Sequence, residues 1–173
     1  MSNRGWYLSG TLLLLTACGY KMVAWSSSTY ATMAVLPIKT GDNARGFRTR
    51  FRDALIERCL AGSGLRPTDE RGDLVLRTEI LEYRENVIAT ATDGRTSRIQ
   101  FTLRAGFDLT DAGGRNLWSL KNYQFSDQYD ISTGQEEFRD EAAFVQDNAF
   151  RTIADLVITN ITLAIAESEA KRE

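Results

Sequence analysis

The chain has 173 residues, with 21 Lys and Arg against 23 Asp and Glu for a formal charge of −2, so it has no basic excess of the kind that binds nucleic acid. It has no histidine, the commonest metal ligand and general base, and only two prolines with no low-complexity tract, which argues against a disordered chain. What remains is one domain's worth of residues, enough to bury an ordinary core.

The first recognisable stretch is Arg4 followed by the apolar run from Trp6 to Leu15. A basic residue, about a dozen apolar residues and then small ones is the layout of a secretory signal peptide. The run is too short for a transmembrane helix, which needs roughly 20 apolar residues. Leu15-Thr16-Ala17-Cys18 resembles a bacterial lipobox, in which the Cys sulfur is joined to diacylglycerol and the preceding peptide is removed. The expected division is residues 1–17 as signal peptide, 18–28 as lipidated N-terminus and tether, and 29–173 as the folded domain. One acyl chain binds a membrane only marginally, so stable anchoring needs more than one on Cys18. In lipoproteins as a class an Asp after the Cys retains the protein at the inner membrane, so Gly19 implies sorting to the outer membrane, with the protein on its periplasmic face. Acylation of Cys18 leaves Cys59 as the sole thiol, which excludes an intramolecular disulfide and is tolerable if Cys59 is buried on a helix flank.

After the Ser26-Ser27-Ser28 tether, Tyr30 to Leu36 is β-branched and apolar enough for a strand, closed by Pro37. Asp42 or Asn43 is placed to cap a helix from about Ala44 to Ala61, on which Phe47, Phe51, Ala54, Leu55 and Cys59 recur at helical spacing. Gly62-Ser63-Gly64 ends it. A long strand follows from Leu74 to Ala91, then Asp93-Gly94, a strong hairpin signal. Beyond it Ile99, Phe101, Leu103, Phe107 and Leu109 face one way, and Arg98, Gln100, Thr102, Arg104 and Asp108 the other. A turn at Asp111-Ala112-Gly113-Gly114 leads to a fourth strand, Leu117 to Tyr129. Thr133-Gly134-Gln135-Glu136 reads as a capping box ahead of a long helix whose stripe is Phe138, Ala142, Val145, Ala149, Ile153, Leu156 and Ile161. The order β-α-β-β-β-α predicts an α+β two-layer sandwich, two helices packed on one face of a four-stranded mixed sheet.

This layout resembles the lipopolysaccharide-assembly lipoprotein family, LptE. The matching residues are Cys18-Gly19-Tyr20, Ala34-Val35-Leu36-Pro37, Asp73-Leu74-Val75-Leu76, Leu109-Thr110-Asp111 and Leu117-Trp118, and then the Glu/Ala-rich last helix. The resemblance implies a lipoprotein that plugs and helps assemble the outer-membrane β-barrel translocon (LptD-type) and binds lipopolysaccharide on its way to the outer leaflet. Two departures stand out. The tether Lys21 to Trp25 lacks the expected glycine, and Ala91-Thr92 stand before Asp93 where a basic side chain is expected.

Lipopolysaccharide carries phosphates, and arginines bind phosphate through paired hydrogen bonds. Arg95, Arg98 and Arg104 run from the hairpin tip down a polar strand face, and are either its lipopolysaccharide ligands or an ordinary solvated surface. Arg45, Arg48 and Arg52 form a basic ridge on the first helix that is solvent-facing or meets anionic headgroups or an acidic partner. Glu136, Glu137, Asp140 and Glu141 crowd the start of the last helix, where the helix dipole favours them; a metal site is the weaker alternative. Tyr83, Tyr123 and Tyr129 read as packing or interface residues.

No nucleophile elbow, phosphate-cradling loop or metal-spaced cluster is present, so no enzyme, metal or cofactor is expected beyond the covalent lipid on Cys18. The same anchor and sandwich also suit an envelope lipoprotein that activates a cell-wall synthase, or an auxiliary subunit of a transport system. Either would bind proteins and not lipopolysaccharide.

Overall fold

From Phe101 to Thr110 the side chains alternate strictly between buried and half-exposed, with Phe101, Leu103, Ala105, Phe107 and Leu109 pointing inward. That period of two is the centre of the sheet in the computed structural model, which describes residues 29–90, 96–130 and 135–171. In chain order the elements are β1 (Thr32–Val35), β2 (Lys39–Thr40), a 3-10 turn (Asp42–Phe47), α1 (Arg48–Gly62), β3 (Arg66–Thr68), β4 (Leu74–Thr90), β5 (Thr96–Asp111), β6 (Asn116–Asp130) and α2 (Gln135–Ala170). The sheet runs β3-β1-β4-β5-β6, with β2 pairing β4 beyond the end of β1. β1 is parallel to both β3 and β4, and β4-β5-β6 is an antiparallel meander.

The expected α+β class and mixed sheet are present, but the strand count differs. Among the described residues the sheet has six strands, not four. The two additional ones are Lys39-Thr40 and Arg66-Pro67-Thr68, polar and too short to show a period of two. They are strands only because parallel partners lie beside them, Glu79-Ile80 for one and Thr32 to Ala34 for the other. Pro67 is tolerated because β3 is an edge strand, where a missing N–H breaks no ladder.

The first helix also starts later than expected. The stretch from Asp42 to Phe47 is a 3-10 turn and α1 begins at Arg48. Gly41 holds the cap position of that turn without a side-chain bond, so Asp42 and Asn43 sit inside the turn and not at its cap. Asp93-Gly94, Thr133-Gly134 and Cys18 lie outside the described residues.

Both helices cover one face of the sheet. Phe51, Leu55 and Cys59 of α1 meet Ile153, Val157, Ile158 and Ile161 of α2 over Leu74, Leu76, Leu103, Phe107 and Leu109. Phe51 stacks on Phe150 at 5.1 Å and meets Phe107 edge-on at 6.3 Å. α2 has 36 residues and is apolar enough over Glu141–Ala170 to cross a membrane by length and composition. Its apolar stripe, however, is the one laid on the sheet, as expected of a core helix.

Two irregularities interrupt the meander at one level. Between the pairs Ile80↔Ala105 and Glu82↔Arg104, Leu81 is an extra residue on β4. Between Ala105↔Tyr123 and Phe107↔Leu120, Lys121 and Asn122 on β6 oppose Gly106 alone. Asn122 sits at φ +56°, a left-handed conformation that asparagine tolerates better than most residues.

Candidate functional site

The start of the domain is held by an aspartate. Asp73 Oδ2 accepts hydrogen bonds from the backbone N–H of Ala31 (2.8 Å) and Thr32 (2.9 Å) and from the Thr32 hydroxyl (2.9 Å), while its own N–H donates to Thr32 Oγ1 at 2.9 Å. These bonds, the Ala31 N–H foremost, hold its carboxyl below the usual range. Beside it, a Cβ on Gly72 would come within 2.8 Å of the Ala34 nitrogen and 3.0 Å of the Leu74 oxygen, so only glycine fits this approach of β1 to β4. Asp73 belongs to the stretch that carries the family resemblance, and clamping the first strand as it enters the domain is its structural task. Thr29 N–H donates to Glu169 at 2.6 Å, so the entry to the domain and the end of α2 are adjacent.

The arginines expected at the hairpin do not converge. Arg95 lies outside the described residues. Arg98 and Arg104 both face away from the helices, six positions apart on one strand, which at about 3.4 Å per residue separates them by roughly 20 Å. Each has a carboxylate. Arg98 Nε donates to Asp130 Oδ1 at 2.5 Å, which raises the guanidinium's pKa and lowers the carboxyl's. Arg104 Nη1 donates to Glu82 Oε2 at 3.1 Å and Nη2 to Asn122 at 3.3 Å, and Glu82 also meets Arg84. This face is a lattice of alternating charges.

The ridge on α1 is broken as well. Arg48 and Arg45 are exposed, but Arg52 turns inward, donating to the Val35 carbonyl at 2.9 Å and to Asp69 at 2.7 Å. Arg50, not singled out by the sequence, ties α1 to α2, as Arg58 does further along through Asp155 at 2.5 Å. Arg50 donates to Asp147 (2.8 Å) and to the Ala143 carbonyl (2.9 Å), and lies 5.8 Å above the Phe150 ring. Nothing in the sequence marks it, because its partners are more than ninety positions away.

The tyrosines gather around one carboxylate. Tyr83 donates to Glu85 Oε1 at 2.5 Å and Tyr129 to the same oxygen at 3.3 Å, while Gln146 of α2, itself buried, donates to Tyr83 at 3.0 Å. Burial, then the carboxylate, drives the Tyr83 phenol far above its ordinary pKa and pushes Tyr129 up to about 12. Both rings therefore stay neutral donors, and the cluster fastens α2 to the upper sheet. Tyr123 is half-buried on the same inner face. Of the acidic group opening α2, Glu141 is half-buried, and the side chains of Glu136, Glu137 and Asp140 lie outside the described residues. Among the described residues no group of three or more His, Cys, Asp and Glu could hold a metal. Cys59 is fully buried, and burial pushes its thiol pKa up.

A sequence model of the family described as lipopolysaccharide-assembly, LptE, matches residues 30–161. No curated protein sequence matches the chain. Among solved structures, rare lipoprotein B from Shewanella oneidensis superposes with a TM-score of 0.55 at 12% identity, covering 78% of this chain and 98% of that one. Lipoprotein B from Nitrosomonas europaea gives 0.52 at 12% identity over 76% and 84% of the two chains. A protein of Xanthomonas campestris gives 0.58 at 12% identity over 83% and 90%. At such identities the likeness is one of fold.

Proposed function

The chain belongs to the lipopolysaccharide-assembly family LptE, whose model spans it from before β1 into the second half of α2, and from that membership we propose that it is an outer-membrane lipoprotein that plugs and assembles an LptD-type barrel. That match carries the reading. It is supported by the lipobox-like tetrapeptide at Cys18, which would place the domain on the periplasmic face, and by the absence of histidine and of a nucleophile motif, which fits a partner with no turnover of its own. Lipopolysaccharide binding is part of the same proposal. Arg95, Arg98 and Arg104 remain its proposed phosphate ligands, with one condition: a phosphate must compete with Asp130 for Arg98 and with Glu82 for Arg104.

Purification of the detergent-extracted protein with its native partners tests the assembly role. A large β-barrel should co-elute, and depletion of this protein should lower the amount of assembled barrel and admit large hydrophobic compounds to the cell. Co-elution with a cell-wall synthase or a transport complex, with barrel levels unchanged, would replace this reading. Intact mass of the extracted protein tests the anchor, which requires loss of residues 1–17 and addition of acyl groups.

A further inference from the structure

Of the register shifts in the meander, the one at Leu81 and the one at Lys121-Asn122 meet the single glycine inside β5 at one place, away from the others near Ile88 and Leu117. Gly106 pairs with Glu79 one step from the Leu81 bulge and is itself the residue opposed by Lys121 and Asn122. On the sheet face away from the helices this leaves a cleft of about 330 Å³. Its floor is Gly106, and its walls include Leu36 and Pro37, Lys39 and Arg77, Glu79, Leu81 and Asp108, Lys121 and Asn122. Each departure from regularity costs the sheet something. A glycine in a strand interior packs nothing and marks a close approach, a bulge interrupts the ladder, and a non-glycine residue at positive φ stores strain. None of them serves the helix-packed core, which lies on the opposite face. All three open the same hollow.

We infer that this Gly106 cleft binds a phosphorylated saccharide head group. Its chemistry is mixed in the way such a ligand requires. Three cations, Lys39, Arg77 and Lys121, surround it, and among the described residues neither lysine has an ion-pair partner. Arg77 spends one guanidinium nitrogen on the Thr110 hydroxyl at 3.2 Å and keeps its other donors. These groups suit a phosphate. Glu79 and Asp108 are acceptors for sugar hydroxyls, with Asp108 already oriented by the Ser119 hydroxyl at 2.5 Å, and Asn122, whose Oδ1 accepts from Arg104, offers its amide N–H groups. Leu36, Pro37 and Leu81 offer an apolar pad for the carbon face of a ring, and Leu81 is nearly half exposed. A bare phosphate would leave the two carboxylates facing an anion, and an uncharged sugar would leave the lysines unmatched. The volume falls at the small end of ligand sites, which open at about 300 Å³, as a sugar phosphate needs. The cleft lies about halfway down the sheet, separate from the Arg98–Asp130 pair near the tip.

This inference deepens the lipopolysaccharide reading but is tested apart from it. Isothermal titration of the full-length chain in detergent with glucosamine 6-phosphate, glucosamine and inorganic phosphate separates the whole head group from its two halves. The phosphosugar should bind at least roughly tenfold more tightly than either alone. Gly106→Leu should abolish that binding by filling the floor, since a Cβ there meets only the Leu120 carbonyl at 4.0 Å. Lys39→Gln/Lys121→Gln changes two exposed side chains outside the core, keeps the fold, and should weaken binding roughly tenfold or more with a flatter salt dependence. Phosphosugar binding no tighter than that of inorganic phosphate or of glucosamine overturns the proposal. So does unchanged affinity in the lysine double variant. Barrel co-elution read on the same variants distinguishes the two ideas: it should stay at the wild-type level while phosphosugar binding is lost.

Discussion

The lower and upper halves of the sheet are built on different principles. Below Ile80 and Leu103, both helices and β1 close on one continuous cluster that includes Met33, Phe51, Leu55, Leu74, Phe107, Leu109, Ile153 and Ile158, nearly all of them without solvent exposure. Above Tyr83, among the described residues, only α2 covers the strands. The buried cluster there is Phe101, Tyr129 and Ala149, while Val87 and Ile88 are about half exposed. What replaces burial is the polar knot of Tyr83, Tyr129, Glu85 and Gln146. The lesson is that the upper half is held in place by directional bonds, so it can present apolar and charged side chains to a partner without unravelling the core below.

The largest effect should separate the halves outright. Phe51→Ala or Phe107→Ala opens a cavity between the sheet and both helices and should cost about 3–5 kcal/mol in urea unfolding, whereas Val87→Ala in the upper half should stay within about 0.5 kcal/mol. Equal losses at the two places would break the comparison.

Next comes the clamp at the base. Asp73→Ala leaves the N–H groups of Ala31 and Thr32 and the Thr32 hydroxyl without their acceptor and should cost about 1–2 kcal/mol at neutral pH. Because the folded carboxyl's pKa is lowered, its contribution is complete above the ordinary aspartate value near ~4 and is lost as pH falls through the folded value. Stability of the variant should therefore fall less than that of the wild type between neutral and acid pH.

The polar knot should respond more weakly. Tyr83→Phe removes both the bond to Glu85 and the bond from Gln146 and should cost about 1 kcal/mol, and a double-mutant cycle with Gln146→Leu, which shares the second of them, should show the two losses to be non-additive. Hydrogen exchange would localise the change to α2 and the upper strands. A probe of the lower half should not move: alkylation of the buried Cys59 thiol should stay slow in Tyr83→Phe and become fast only in Phe51→Ala. The smallest effect belongs to the exposed pair near the tip. Arg98→Ala should leave the urea midpoint unchanged, and any effect should appear in lipopolysaccharide affinity alone.

The sequence by itself determined the periodic parts of this molecule. The alternation from Ile99 to Leu109 placed Phe101, Leu103, Phe107 and Leu109 inward, and the helical spacing of Phe51, Ala54, Leu55 and Cys59 placed them on the core face of α1. Both signals are local: each repeats within a few residues, so a side chain's face follows from its neighbours alone. Tertiary structure decided the rest. Lys39-Thr40 and Arg66-Pro67-Thr68 are strands through parallel pairing with residues about 35–40 positions away, and nothing in two or three polar residues records that. Arg52 left its ridge because the Val35 carbonyl and Asp69 came within reach, and Arg50 gained its role only when α2 arrived alongside. The bulges that hollow out the Gly106 cleft exist only as a mismatch in residue count between paired strands. A single strand read alone has no register, so beyond the interior Gly106 of β5 the sequence carries no mark of where they fall.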